Sequence, residues 1–122
     1  MKHTNFFSAL KSAICGVKAF FIESRNARIQ FFLFLLALTG GFYFQIKSHE
    51  WLWLGVSACM VFCLESVNTS IEFLADLIST DYHPLIKKLK DISAGAVLMA
   101  SIFSLMVGIV IFWPHLSVIL LH

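Results

Sequence analysis

Four side chains with carboxylate or amide oxygens recur at helical spacing in the middle of the chain. Glu65, Asn68, Glu72 and Asp76 lie at offsets of 0, 3, 7 and 11 residues. An α-helix turns by about 100° per residue, so these positions fall within an arc of about 80° on one helix face. The sequence therefore predicts a polar stripe on that helix, called the acidic stripe below.

Glu65 is the member of the acidic stripe that lies deepest in apolar sequence. It follows an uncharged run that begins at Trp51. About 20 helical residues cross a hydrocarbon layer, which places Glu72 and Asp76 at the far interface and Glu65 about one to two turns inside it. An ionisable group inside a membrane is costly and usually marks function. We therefore predict that Glu65 is a general base for a hydroxyl group presented from the bilayer.

A second polar cluster follows the acidic stripe. Residues 79–84 are of turn-forming types, and Lys87, Lys88, Lys90 and Asp91 come next. Together with the two interfacial carboxylates, they predict a site with cations for phosphate groups and carboxylates for Mg²⁺. Phosphoryl transfer needs mainly such positioning and charge neutralisation. The sequence contains none of the glycine-rich phosphate loops of common soluble nucleotide sites.

Each of these polar residues also has a simpler explanation. The lysines could reflect membrane topology alone. Asn68 could join two helices, Asp76 could be a solvated residue at a helix end, and Asp91 could be the N-cap of the next helix. These explanations stay open for single residues, whereas the acidic stripe as a whole favours function.

The elements that must position these side chains are membrane helices. The chain is 59% hydrophobic and 13% charged, whereas about a quarter of an average soluble domain is charged. Three apolar runs, at 29–46, 51–78 and 92–113, are long enough to span a bilayer, and Pro114 closes the third. Open sheets cannot span lipid, so all three are predicted to be helices. The predicted fold is an all-α membrane protein, with residues 1–122 forming a single membrane domain.

The segment at 5–26 has an amphipathic pattern of its own. Its apolar residues recur every three or four positions, at Phe7, Leu10, Ile14, Val17 and Phe21. Such a helix is expected to lie in the membrane interface. The pattern is compatible with a simple anchor as well as with a contribution to catalysis.

The distribution of basic residues predicts the orientation of the chain. Five lysines and arginines precede the first apolar run, one lies in the first connection, three lie in the second, and none follows the third run. Because cytoplasmic loops of membrane proteins carry an excess of lysine and arginine, the N-terminus is predicted to be cytoplasmic and the C-terminus outside. The net charge of +2 is dispersed, which argues against nucleic acid as a partner.

The polar residues and their neighbours together resemble a known signature. They read Glu65-x-x-Asn68-Thr69-Ser70-Ile71-Glu72-x-x-x-Asp76, then Ser79-x-Asp81-Tyr82-His83-Pro84-x-x-Lys87-x-x-Lys90-Asp91-x-x-Ala94-Gly95-Ala96-Val97-Leu98. This motif resembles that of the bacterial integral-membrane diacylglycerol kinase and undecaprenol kinase family. The resemblance implies a homotrimer of three-span protomers, each with an N-terminal surface helix, and active sites shared between neighbouring subunits.

The resemblance also implies roles for single residues. Glu65 matches the proton acceptor for the lipid hydroxyl, and Glu72 matches a ligand of the Mg²⁺ that accompanies ATP. The residues that match positions shaping the nucleotide site are Asn68, Asp76, Asp81, Tyr82, His83, Lys90 and Asp91.

One position departs from the family pattern. Members commonly carry an acidic or amide residue, as a second metal ligand, four positions before the arginine that matches Arg28. This chain has Ser24 there, and the acidic residue is its neighbour Glu23. A shift of one residue rotates a helical side chain by about 100°. Either the chain is wound differently and Glu23 still reaches the metal, or Glu72 does more of the work alone.

The predicted function is ATP-dependent phosphorylation of a membrane lipid alcohol at the cytoplasmic face of the bacterial inner membrane. The acceptor is diacylglycerol, giving phosphatidic acid, or undecaprenol, giving undecaprenyl phosphate. His83, Pro84 and residues 94–98 look somewhat closer to the undecaprenol branch, but both lipids stay open. One alternative is a small proton-coupled transporter or channel subunit, which would explain Glu65 alone. Another is a non-catalytic membrane scaffold.

Overall fold

The computed structural model describes residues 5–122, and these fold into four α-helices. Helix α1 spans Phe6–Glu23, α2 spans Arg25–Phe44, α3 spans Ser48–Ile78 and α4 spans Pro84–Leu120. Helices α2, α3 and α4 are each long and apolar enough to cross a membrane. The prediction of an all-helical chain with three candidate spans is therefore confirmed.

Short connections fold the three long helices back on one another. Residues 45–47 join α2 to α3, and residues 79–83 join α3 to α4. Helices α3 and α4 pack together most extensively, while α2 contacts both of them less. We call the end with the α1–α2 joint and the α3–α4 connection the polar end, and the end with the α2–α3 connection the aromatic end.

The core at the aromatic end is built from apolar side chains of three helices and one connection. Ile46, Leu54 and Ile111 are buried there, and Trp51 and Phe112 pack against them. The α2–α3 connection turns sharply because Gln45 adopts a left-handed conformation, with φ of 51°. This turn brings the start of α3 back against the last turn of α2.

Helix α4 is longer than its apolar run in both directions. It begins at Pro84, and the imidazole Nδ1 of His83 accepts a hydrogen bond from the Leu85 N–H at 3.2 Å. Asp91 therefore lies well inside the helix, and the explanation of Asp91 as an N-cap is wrong. Pro114 does not end the helix, because proline inside an apolar helix is tolerated where neighbouring groups re-satisfy the backbone.

Candidate active site

Glu65 is a buried carboxylate on the central helix. Only 3% of the residue is exposed, and the neighbouring side chains of α3 are mostly apolar. Its carboxylate oxygen Oε1 accepts a hydrogen bond from the Ser24 hydroxyl at 3.4 Å, and its main-chain carbonyl accepts one from Thr69 at 2.9 Å. Within the described residues, Ser24 is the one side chain that donates a hydrogen bond to this carboxylate.

The acidic stripe changes from buried to exposed along α3. Asn68 is buried like Glu65, whereas Glu72 and Asp76 lie at the surface of the chain. The Asn68 amide nitrogen donates to Glu72 Oε1 at 3.1 Å, so within the described residues this side chain bonds within its own helix. Over the eleven residues from Glu65 to Asp76 an α-helix rises by about 16 Å. The stripe thus connects the buried carboxylate to the surface at the polar end.

Two ion pairs organise the lysines of the second cluster. Lys90 Nζ lies 2.5 Å from Asp76 Oδ1, which links α4 to α3 at the open end of the acidic stripe. Lys87 lies 2.5 Å from Asp91, one turn away on α4. The structure thus brings together Asp76 and Lys90 from two helices, while Asp91 faces Lys87 instead.

The α3–α4 connection carries three further residues of the predicted nucleotide site. Asp81, Tyr82 and His83 are all exposed, and His83 also caps α4. The main-chain carbonyl of Asp81 accepts a hydrogen bond from the Ser79 hydroxyl at 3.2 Å. These side chains are exposed at the polar end, where a solute could reach them.

The oxygen donors beside Glu72 suit a hard cation. The Asn68 side-chain carbonyl oxygen Oδ1 is buried and accepts no hydrogen bond from residues 5–122, while Glu72 presents an exposed carboxylate next to it. Mg²⁺ is commonly held by one or two carboxylates completed by substrate phosphates and water. Glu23 is exposed at the end of α1, and no three His, Cys, Asp or Glu side chains converge within residues 5–122. The residues fit a cation that relies on its substrate for most ligands.

An apolar groove lies between α2, α3 and α4. Its volume is 640 Å³, and it starts at Val61 and Phe62, one helical turn from Glu65, and extends to Trp113 near the aromatic end. Gln30 also lines the groove, and its side-chain oxygen Oε1 is buried and has no hydrogen-bond partner in the part of the chain that the structure describes. Sequence reasoning missed this groove and Gln30, although a lone amide inside an apolar run was a visible signal.

Sequence reasoning also missed the joint between α1 and α2, at residues 23–25, as part of the site. Ser24 caps α2, and its hydroxyl oxygen accepts a hydrogen bond from the Ala27 N–H at 3.1 Å. A serine directly before a helix is a common N-cap, so the local role was readable from sequence. Its contact with Glu65 was not, because 41 residues separate the two.

The sequence has clear relatives. A sequence model of the family described as prokaryotic diacylglycerol kinase matches residues 11–112. A diacylglycerol kinase of Synechocystis sp. is 34% identical over 113 residues, which cover 92% of this chain and 65% of that protein. An undecaprenol kinase of Bacillus subtilis is 33% identical over 111 residues, covering 91% and 90%. A diacylglycerol kinase of Escherichia coli K12 is 28% identical over 100 residues, covering 82% of each.

This chain thus spans just under two thirds of the Synechocystis protein and most of the other two. The family match extends from within α1 almost to Pro114 and includes the acidic stripe and the second cluster. The family suggested by the sequence motif is confirmed, and the chain belongs to the prokaryotic diacylglycerol kinase family.

Proposed function

We propose that this chain transfers the γ-phosphate of ATP to the hydroxyl group of a membrane lipid, with Glu65 as the general base. Membership in the family makes the chain a lipid kinase of a bacterial membrane. The observation that carries the proposal is the position of Glu65, which is buried at the inner end of a stripe that opens at the polar end. A base there can meet a lipid hydroxyl from the bilayer and a phosphate from water.

In the proposed reaction Glu65 accepts the proton of the lipid hydroxyl as that oxygen attacks the γ-phosphorus of ATP. The bond between the γ-phosphorus and the bridging oxygen to the β-phosphate breaks, and ADP leaves. The proton then passes from Glu65 to water. General-base catalysis of this kind contributes about 10²- to 10⁴-fold to a rate.

The open end of the acidic stripe is proposed to hold the nucleotide. Glu72 and the unpartnered Asn68 oxygen would hold Mg²⁺, which when bound neutralises charge on the phosphates. Lys90, already beside Asp76, can turn its ammonium group toward a phosphate. Asp81, Tyr82, His83 and Asp91 are proposed to complete the nucleotide site, and Glu23 remains a candidate second metal ligand.

The apolar groove offers a place for the hydrocarbon part of the acceptor. It begins one turn from Glu65, so a chain lying in it would present its hydroxyl near the base. Apolar walls with a few polar groups are typical of sites for lipid-like ligands. Relatives named diacylglycerol kinase and undecaprenol kinase are about equally similar to this chain, so both lipids are proposed acceptors.

The remaining elements of the proposal concern assembly and orientation. Helix α1 is proposed to lie in the cytoplasmic interface, because its apolar residues Phe7, Leu10 and Ile14 are exposed along one side. We propose that the polar end, which carries most of the lysines and arginines, faces the cytoplasm and that the C-terminus lies outside. A homotrimer is proposed from the family resemblance.

The transporter and scaffold hypotheses have no observation in their favour. All three relatives described above are named as kinases. The transporter hypothesis, in which Glu65 shuttles protons, also assigns no role to Glu72 or to the Asp76–Lys90 ion pair.

The proposal is tested with purified protein in mixed micelles, radiolabelled ATP, and diacylglycerol or undecaprenol assayed side by side. Labelled lipid phosphate is expected from at least one acceptor, and Glu65→Gln should lower its formation by at least about 10²-fold. Glu50→Gln, a matched change on the same helix at the aromatic end, should retain activity. Full activity of Glu65→Gln would refute the role of Glu65, and absence of product from both lipids would refute the lipid kinase.

A further inference from the structure

Ser24 occupies a position where the family motif commonly has an acidic or amide residue, and its hydroxyl contacts Glu65. Only 8% of the residue is exposed at the joint where α1 ends and α2 begins. Its hydroxyl oxygen accepts from the Ala27 N–H at 3.1 Å, and its O–H donates to Glu65 Oε1 at 3.4 Å. A serine hydroxyl has a single proton, so the bond to Ala27 leaves that proton free for the carboxylate.

We propose that Ser24 is a positioning residue that holds the carboxylate of Glu65 for proton transfer. The inference rests on the proposed function of Glu65 as the base. Among residues 5–122, no other side chain donates a hydrogen bond to this carboxylate. Because Glu65 is almost fully buried, water has little access to replace a lost donor. In this chain the position therefore serves the base instead of supplying a metal ligand.

The joint that carries Ser24 is itself fixed by hydrogen bonds to the end of α1. The Arg28 guanidinium donates to the carbonyl oxygens of Phe21 at 3.0 Å and Ile22 at 2.6 Å. The Ser24 N–H donates to the Phe20 carbonyl oxygen at 2.9 Å. Carbonyls at a helix end otherwise lack partners, so these bonds hold α1 and α2 at one angle. Ser24 makes the one side-chain hydrogen bond from this joint to α3 within the described residues.

A base held by a rigid neighbour works better than a free one, because reaction requires a narrow range of geometry. A displacement of about 1 Å can lower a rate by about 10²-fold. Loss of the Ser24 hydroxyl is therefore expected to act on the chemical step. Binding of ATP at the exposed end of the acidic stripe should change little.

The test compares kcat and KM of Ser24→Ala, Ser24→Thr and Ser66→Ala with those of the unaltered protein. Ser24→Ala is expected to lower kcat by about tenfold or more, with the KM for ATP within about twofold. Ser24→Thr keeps a hydroxyl and should restore most of kcat. Ser24→Cys, close in size but a weaker donor, should fall between alanine and serine. Ser66→Ala is the matched control, because it removes a hydroxyl next to Glu65 that bonds the Cys63 carbonyl instead.

A second measurement separates positioning from helix capping. Apparent melting temperatures are compared for Ser24→Ala in the unaltered protein and in a Glu65→Leu background. Ser24→Ala should lower the melting temperature more in the unaltered protein, where it removes both the hydrogen bond to Glu65 and the cap of α2. In the Glu65→Leu background it removes only the cap. Equal drops would show that the contact with Glu65 has no energetic weight and would overturn the inference.

The two proposals can fail separately. If Glu65→Gln is inactive while Ser24→Ala matches Ser66→Ala in kcat, the positioning role is wrong and the proposed function stands. If the unaltered protein phosphorylates neither lipid, the proposed function is wrong, and the melting comparison still decides whether Ser24 holds Glu65.

Discussion

The two ends of the molecule are joined by different kinds of contact. At the polar end, α3 is linked to its neighbours by the Ser24–Glu65 hydrogen bond and the Asp76–Lys90 ion pair, and Phe62 of α3 also contacts the ring of Phe21 near the end of α1. At the aromatic end, helices meet through ring contacts and a buried apolar cluster. The contacts there include Phe42 with Trp51, and Phe44 with Phe112 and His115.

Because of this difference, we expect the two ends to contribute unequally to stability and to catalysis. An ion pair such as Asp76–Lys90, whose aspartate is mostly exposed, contributes little to stability, about 0–1 kcal/mol. Close apolar packing is sensitive to every added or removed methyl group. Substitutions at the polar end should therefore change activity more than stability, and substitutions at the aromatic end should do the reverse.

After Glu65→Gln, the largest effect is expected for Glu72→Gln at the polar end. Removing the proposed cation ligand should lower kcat/KM for ATP by about 10- to 100-fold or more and raise the Mg²⁺ concentration needed for activity. The melting temperature should change little, because Glu72 is exposed. A Mg²⁺ titration of activity checks this, with Glu50→Gln as control. An unchanged titration curve would remove Glu72 from the metal site.

Gly41→Ala should produce the opposite result at the aromatic end. A Cβ atom at Gly41 would lie 2.5 Å from the ring of Trp51, so the ring must shift. Such overpacking is expected to lower the free energy of unfolding by about 1–3 kcal/mol. Gly55→Ala is the control, because a Cβ there meets no atom within 4 Å.

Gly41→Ala and Gly55→Ala are compared by thermal unfolding in detergent and by activity per folded molecule. The specific activity of folded Gly41→Ala should remain close to that of the unaltered protein. If Gly41→Ala loses more activity than folded protein, the two ends are coupled, and stability and activity do not divide between them.

The apolar groove runs from one helical turn beyond Glu65 to the aromatic end, so narrowing it tests whether it holds the lipid acceptor. Gly108 lines the groove, and a Cβ at Gly108 or Gly55 would meet no atom within 4 Å. Gly108→Leu is expected to raise the KM for the lipid by about tenfold, whereas Gly55→Leu, outside the groove, should leave it unchanged. Assays at varied lipid fraction in micelles measure this. Equal effects of the two variants would exclude the groove as the acceptor site.

The smallest effect is expected for Gln45→Gly in the α2–α3 connection. Gln45 has φ of 51°, which glycine adopts more readily than residues with a Cβ atom. The change should raise the free energy of unfolding by up to about 1 kcal/mol, with activity unchanged. Gln45→Ala, which removes the same side chain but keeps the Cβ, should not stabilise the protein in the same thermal unfolding assay.

The helix ends show where sequence reasoning reached its limit. The three apolar runs correctly indicated the three long helices, because bilayer thickness sets a minimum length that the composition reveals. The third apolar run, at 92–113, did not predict the bounds of α4. The first turns of this helix are polar, and the helix continues past Pro114. A helix extends wherever its backbone groups find partners, and the apolar run marks only part of it.

The acidic stripe was determined by the sequence alone, because a helix of regular period places Glu65, Asn68, Glu72 and Asp76 on one face whatever its neighbours are. The packing of the helices, by contrast, buries Glu65 and makes Ser24, 41 residues away, its hydrogen-bond partner. It likewise pairs Asp76 with Lys90 on another helix. Such contacts depend on how helices pack, and periodicity within one helix carries no information about the neighbour that faces it.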